Sequence, residues 1–573
     1  MSRSNSKVTV GPFLGGINSY SNQSFALEDD VVDLVNLEVG FDRVIRTRPP
    51  IKQIQDSGNS PDISHFDILG IFSFDDGSLY MVGSAPLETT TGSPKGSIYN
   101  LSGGGEGQSW SDLASDAAME GSKVAVQYAG EVWFIPTVKN VTAANKTYYK
   151  WSPTLGAPTA GTSGPRGNTA VVYKERVFVA RGTALAGVVN GARLFWSEPG
   201  DPDNFPAANF LDVSTKDGSN IIALAVYQDS IIIFKETSTW QFSFDIAPSD
   251  GTLRSINPVI GTDSYKCAKQ YENSIFIMQG NKAYEMVNFQ FVNINPRTPF
   301  EKGRALPTGG SYANEADEKH ISLVGDRLIC RYFGNCYVYN LRTRTWSKWE
   351  VAEQSVDAFD LTFQQWFGDW WRSPEKDENG FDLYFSTLGI SSFNQDNITN
   401  IESVFKVKDG YTDADFEQYE AASNSLAKRT DIQCKLKTKK YDFNEPQVEK
   451  SMKWWGAYIV SNRDVSTTVL YSTPSDSMTW DQLEAKYNWD QFNGLYYWDF
   501  SDSGEAMISD TKLLSMDGFA GFVRFNESVR GSQFQFELDT TTDGSTNFDG
   551  GVFQISELVV TIEAGQTAAE KVT

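Results

Sequence analysis

The chain has 573 residues, more than one ordinary domain needs and enough for a large repeat body plus a smaller module. Its 49 Lys and Arg stand against 73 Asp and Glu, a net charge of −24 that repels phosphates and disfavours capture of DNA through basic patches. An acidic wall along which DNA slides without adhering fits that sign, and so does plain solubility. Met1 to Val10 is polar with no apolar run, so no secretory signal is expected.

Aromatic residues make up 13% of the chain, Gly occurs 47 times, and runs with helical periodicity are scarce, so short strands and turns are expected throughout. The first clear hairpin joins 68–74 to 78–82 through Asp75-Asp-Gly77. The same pattern returns at 123–128 with 132–135, at 169–173 with 177–180, at 221–227 with 231–234, and at 265–271 with 275–278. Residues 221–234, the most apolar stretch, are interrupted by Gln228 and Asp229 and fall short of the roughly 20 residues of a membrane span. They read as two buried strands. Further strands such as 193–196 and 238–242 follow the hairpins, and weaker candidates lie at 320–324 through 336–339 with Trp346, and at 381–385 through 404–407.

A four-stranded unit recurring about every 45 to 55 residues predicts propeller blades, six or seven of them. Two stacked sandwiches have the same rhythm and are the alternative. Residues 1–60 read as a segment leading into the propeller, 61–410 as the propeller, and 411–430 as a linker or short helix. Alternating strands within 431–565 suit a β-sandwich, and 566–573 a loose polar tail. The predicted class is therefore all-β, a β-propeller followed by a C-terminal β-sandwich.

Cys267, Cys330, Cys336 and Cys434 are too few and too scattered for a disulfide scaffold and read as reduced. Cys330 and Cys336 are spaced as strand neighbours, which leaves a bridge between them open. The chain has two histidines, His65 and His320, in separate regions, so a His-rich metal cluster is excluded. Gly103-Gly-Gly-Glu-Gly107 lacks the Lys and preceding strand of a phosphate loop. Asp539-Thr-Thr-Thr-Asp-Gly544 begins like a calcium loop but has Gly550 where a Glu is required. Ser475-Asp-Ser-Met-Thr-Trp480 departs from a sialidase Asp-box in spacing and lacks its Gly. The acidic pairs Asp29 with Asp30, and Asp201 with Asp203, read as solvated loop carboxylates rather than a glycosidase pair. No catalytic, metal or cofactor residue is assigned. Residues 486–500 concentrate aromatic rings with polar partners. Trp480, Trp489, Tyr496, Tyr497 and Trp498 are the candidate contacts for a subunit interface or for sugar rings, and sandwich packing uses the same side chains.

Gly15-Gly-Ile-Asn-Ser19, Asp33-Leu-Val-Asn36 and Arg46-Thr-Arg-Pro-Pro50 together resemble the opening of the tail nozzle, or tail tubular B, proteins of short-tailed bacteriophages, with Pro50 where that family more often has Gly. Arg193-Leu-Phe-Trp-Ser-Glu-Pro-Gly-Asp-Pro-Asp-Asn-Phe205, followed by 221–234 and Trp240, is similar to blade segments of phage virion proteins. The resemblance implies a non-enzymatic subunit of the virion tail, a hexameric ring below the tail adaptor and beside fibre or spike proteins, through which DNA is ejected without sequence-specific binding. It needs no cofactor and no membrane span. Within the first element, residues 33–37 are expected to form one helical turn ahead of a Pro-stiffened strand.

Overall fold

The computed structural model describes residues 5–10, 15–18, 30–56, 67–84, 96–102, 109–116, 122–136, 145–180, 191–301, 319–350, 354–407, 416–419, 426–430, 434–443, 450–472, 496–498, 506–514, 519–540 and 553–564, with short breaks inside several of these. Among them there are strands and 3-10 turns but no α-helix. The expected all-β class is what the chain forms.

Seven sheets follow one another as blades. Blade 1 comprises 67–73, 79–84, 96–102 and 109–116; blade 2, 122–128, 131–136, 145–151 and 159–165; blade 3, 169–173, 176–180, 193–196 and 210–212. Blade 4 comprises 221–227, 230–235, 239–243 and 252–257; blade 5, 268–271, 274–279, 282–287 and 290–293; blade 6, 320–324, 327–332, 335–340 and 345–349. Blade 7 is built from 365–377, 380–394 and 403–407, with 51–53 from the N-terminal segment as its fourth strand. The first strand of each blade neighbours the first strand of the next, and 365–377 returns against 67–73 to close the ring. Of the two blade numbers left open by the strand rhythm, seven is the one observed.

The apolar run Ile231-Ile-Ile-Phe234 shows why these strands do not alternate with polar residues. Successive side chains point to opposite faces. Ile231 and Ile233 pack with Phe178, Leu194 and Trp196 of blade 3, while Ile232 and Phe234 pack with Ile275, Ile277 and Met286 of blade 5. Both faces are core, and each fully buried side chain contributes roughly 1.5–3 kcal/mol.

The hairpin turns share a left-handed geometry, with positive φ at Ala129 and Gly130, Lys174 and Glu175, and Gln228 and Asp229. Such turns match the right-handed twist of the strands they join. A tyrosine ends the first strand of blades 2, 3 and 4 and reaches the corresponding turn of the following blade. Tyr128 donates to the Glu175 carbonyl at 3.2 Å, Tyr173 to the Asp229 carboxylate at 2.6 Å, and Tyr227 to the Asn273 carbonyl at 2.8 Å. Burial and the Asp229 carboxylate push the Tyr173 phenol far above its ordinary pKa.

The N-terminal segment does more than lead into the propeller. Strands 5–10, 37–39 and 45–47 join the sheet that contains 553–564, 450–461 and 519–525. Strand 30–35 lies between the last strand of blade 6 and 435–438, making one continuous sheet that runs on through 533–540, 465–472, 506–514 and 496–498. Ile17, Val31, Leu34, Leu37 and Ile45 sit in one core with Leu436, Trp455, Phe536, Leu538 and Val560. The sandwich is therefore assembled from both ends of the chain, and the propeller is inserted between strands 45–47 and 435–438. Residues 411–430, expected as a linker or short helix, contain strands 416–419 and 426–430, which extend the blade 7 sheet beyond 51–53. Residues 566–573 lie outside the described residues.

Candidate functional site at the propeller–sandwich junction

The three motifs at the start of the chain meet at one place, where blade 6 joins the sandwich. Residues 33–37 form no helical turn. Strand 30–35 ends at Asn36, whose φ of 54° redirects the chain into strand 37–39. Burial of Leu34, Val35 and Leu37 favours two strands with a kink over a helical turn. Asn tolerates this left-handed conformation better than most residues.

Asn36 organises the site. Its backbone N–H donates to the Lys348 carbonyl at 2.8 Å, and its side-chain Oδ1 accepts from Arg48 Nε and from the Glu350 backbone N–H, both at 2.8 Å. Arg48 also donates to the Pro49 carbonyl at 3.0 Å and the Glu350 carbonyl at 3.2 Å, and its guanidinium lies 5.8 Å from the centre of the Trp349 ring. Arg48 and Trp349 are each 1% exposed. A buried guanidinium is tolerated only when its donors are satisfied, and this fork is held by groups on both modules. Cys434 contacts the Asn36 carbonyl from the sandwich at 3.5 Å.

Gly16, with φ of +67°, passes so close to blade 6 that an added Cβ would lie 2.9 Å from the Trp346 backbone nitrogen. Only glycine fits there. Nearby, Asn18 donates to the buried Asp30 carboxylate at 2.6 Å, and Arg297 approaches the same group at 3.7 Å. Arg327 of blade 6 grips Glu38 with contacts of 2.9 to 3.0 Å.

A ladder of alternating charge crosses the junction on the outward face of the continuous sheet. Asp33 stands opposite Lys437, Lys437 opposite Glu537, and Lys435 opposite Asp539. Lys435 Nζ lies 2.8 Å from Glu537, and Lys348 pairs with Glu350. Opposite charges across strands stabilise the pairing. Burial raises the Asp33 carboxyl despite Lys435 beside it. Burial, with Glu537 adjacent, pushes Asp539 up to about 6. Burial works to lower Lys348 and Lys435, but the surrounding groups, Glu350 with Tyr337 and Asp33 for the first and Glu537 with Asp539 and Asp33 for the second, raise both.

Of the expected contact residues, Trp480 and Trp489 lie outside the described residues. Tyr496, Tyr497 and Trp498 form a strand at the end of the continuous sheet, opposite Ile508, Met507 and Ala506. The Asp201 and Asp203 carboxyls lie side by side, and burial, with Asp203 adjacent, raises Asp201. Direct contact is closer than the roughly 5 Å or more that glycosidase carboxylates need. Asp539 lies in strand 533–540, while Gly544, Gly550, the 475–480 turn, Gly103 to Gly107, Asp29 and His65 are outside the described residues. His320 is buried in blade 6. All four cysteines are buried and free, and Cys330 stands opposite Tyr337 rather than Cys336. Among the described residues no cluster of His, Cys, Asp or Glu fits a metal ion, and no helix is long and apolar enough to cross a membrane.

The chain matches no protein-family model and no curated protein. Similar solved structures include the Pan2 WD40 domain of Neurospora crassa, 9% identical, covering 63% of this chain and 97% of that one with a TM-score of 0.37. The β-propeller domain of the Trilobed protease from Pyrococcus furiosus is 6% identical and covers 60% of this chain and 96% of its own, with a TM-score of 0.33. Apo AztD from Citrobacter koseri is 10% identical over 58% of this chain and 85% of its own, with a TM-score of 0.35. The propeller itself stands on the sheet order and ring closure described above.

Proposed function

We propose that this chain is a structural, non-enzymatic component of a bacteriophage tail, a nozzle or tail-tube subunit. It assembles with copies of itself, six in the closed form, into a ring through which DNA is ejected. The observation that supports this reading most is that Gly16, Asp33, Asn36 and Arg48, which carry the resemblance, lie together where blade 6 joins the sandwich. A tube wall under load needs its modules fused, and here a shared sheet and a buried guanidinium fuse them. A ring of such chains carries six times the charge of −24, which keeps DNA from adhering as it passes. In the virion it would sit in the tail, against the adaptor and the fibre or spike proteins.

The test is the native mass of the purified chain followed by imaging. A closed six-membered ring with a central channel is expected; a stable trimer would overturn the nozzle reading in favour of a fibre or host-recognition protein.

A second reading, recognition of surface glycans through the sandwich, draws on the position of Tyr496–Trp498 at the end of its sheet. It predicts binding of the intact chain on a glycan array, lost in Trp498→Ala; no binding to any sugar sinks it.

A further inference from the structure

The sandwich sheet that contains 450–461 turns its two faces to different uses. Met452, Trp455, Ala457 and Ile459 point into the core. A register shift after Met452 then places Trp454, Gly456, Tyr458 and Val460 on the outward face. Tyr458 is 48% exposed and Val460 41%.

The neighbouring strand 519–525 completes a patch. Phe522 stands opposite Tyr458, with ring centres 5.0 Å apart, and Trp454 meets Phe522 edge-on at 6.2 Å. Gly456 is the floor: a Cβ there would lie 2.5 Å from the Phe522 ring, so its absence lets the ring lie down on the sheet. The Arg524 guanidinium sits 4.6 Å from the centre of the Trp454 ring. Lys453, Arg524 and Arg530 are exposed around the rings, with Glu557 opposite Tyr458 and Glu563 opposite Ser451 in register. The exposed charged side chains described on strands 450–461, 519–525 and 529–531 are these three cations, on a chain of 49 cations and 73 acids. Exposed aromatic anchors beside arginine are the composition of interface centres.

We infer that this face, centred on Tyr458, Val460, Phe522 and Arg524, is the contact by which one copy of the chain holds the acidic surface of the next. The inference rests on the ring reading above and names the surface that makes the ring. Charge sets the geometry. Two copies meeting patch to patch would oppose their cations, a like-charge contact that costs several kcal/mol. A patch meeting a different, acidic surface avoids that cost, and such head-to-tail contacts are the kind that close into rings.

The full-length chain and three single variants, Arg524→Glu, Tyr458→Ala and Val460→Ser, are compared by native mass over a range of protein concentrations at low and high salt. The wild type is expected to form a closed oligomer that weakens as salt is raised. Each variant is expected to need at least tenfold higher concentration to assemble, with an unchanged thermal midpoint because the changes are at exposed positions. Val460→Ser is the mildest change and keeps the test decisive if another variant fails to fold. Arg254→Glu, the same charge change at an exposed position on blade 4, is expected to assemble as the wild type does. Variants that assemble normally overturn this contact and leave the ring reading standing, as does an equal loss in Arg254→Glu. A wild type that is monomeric at every concentration overturns both.

Discussion

Arg48 is the residue on which the junction turns, because it donates to Asn36, Pro49 and Glu350 from a fully buried position. Lysine keeps the charge but loses the planar fork that reaches three acceptors at once. Arg48→Lys is expected to cost about 3 kcal/mol in urea unfolding, since hydrogen bonds to charged groups contribute about 1.5–3 kcal/mol each. A loss below about 1 kcal/mol would mean the fork is dispensable. Asp539 makes a second prediction, about pH. Its folded pKa of about 6 lies above the ordinary 3.8, so the folded chain holds this proton more tightly than the unfolded chain does. Its contribution favours folding below about pH 4 and is lost as pH rises through 6. Asp539→Asn should therefore stabilise the chain more at pH 7 than at pH 4; an equal effect at both would refute the assignment.

At the scale of elements, the tyrosines that end the innermost strands of blades 2, 3 and 4 tie each of these blades to the next. Tyr227 donates to Asn273 and also accepts from the Asn288 backbone N–H at 3.1 Å, so phenylalanine leaves that donor without its acceptor. Tyr227→Phe is expected to cost about 2 kcal/mol, and Tyr128→Phe, which loses one longer bond, under about 1 kcal/mol. Calorimetric midpoints rank the two, and the reverse order would show that the bonds are not what couples the blades. The turns carry a further test. Ala129 has φ of 50° before Gly130 at 77°, the geometry for which Asn-Gly is the preferred pair. Ala129→Asn is expected to raise stability by about 0.5–1 kcal/mol, because it relieves a left-handed alanine.

For the whole molecule, the consequential feature is that the sandwich core draws on both ends of the chain. A fragment of residues 431–573 lacks Ile17, Val31, Leu34, Leu37, Val39 and Ile45, all of them core residues. It is expected to show no cooperative unfolding, and a sharp transition in circular dichroism would contradict the interleaved assembly. Strand 51–53 closes blade 7 while 55–56 pairs with the last strand of blade 1, so one short stretch fastens both ends of the ring. Propeller and sandwich are thereby bound through the same fifty residues of sequence.

The blade hairpins were legible in the sequence because their signals are local: apolar runs on either side of short turns, read there as three residues long and folded at 129–130, 174–175 and 228–229 as two. Strands 169–173, 176–180 and 193–196 were readable almost to the residue on that basis. The tyrosine repeat was present in the same rhythm, at 128, 173, 227 and 271, and only its hydrogen bonds gave it meaning. The joining of Asn36 and Arg48 to Glu350 and Cys434 had no local signature, since the partners are separated by some three hundred residues or more. A short segment such as 30–35 carries the same pattern whether it enters a propeller, turns as a helix or completes a sandwich. Burial against strands from the far end of the chain decides among these, because only the assembled core removes those side chains from water.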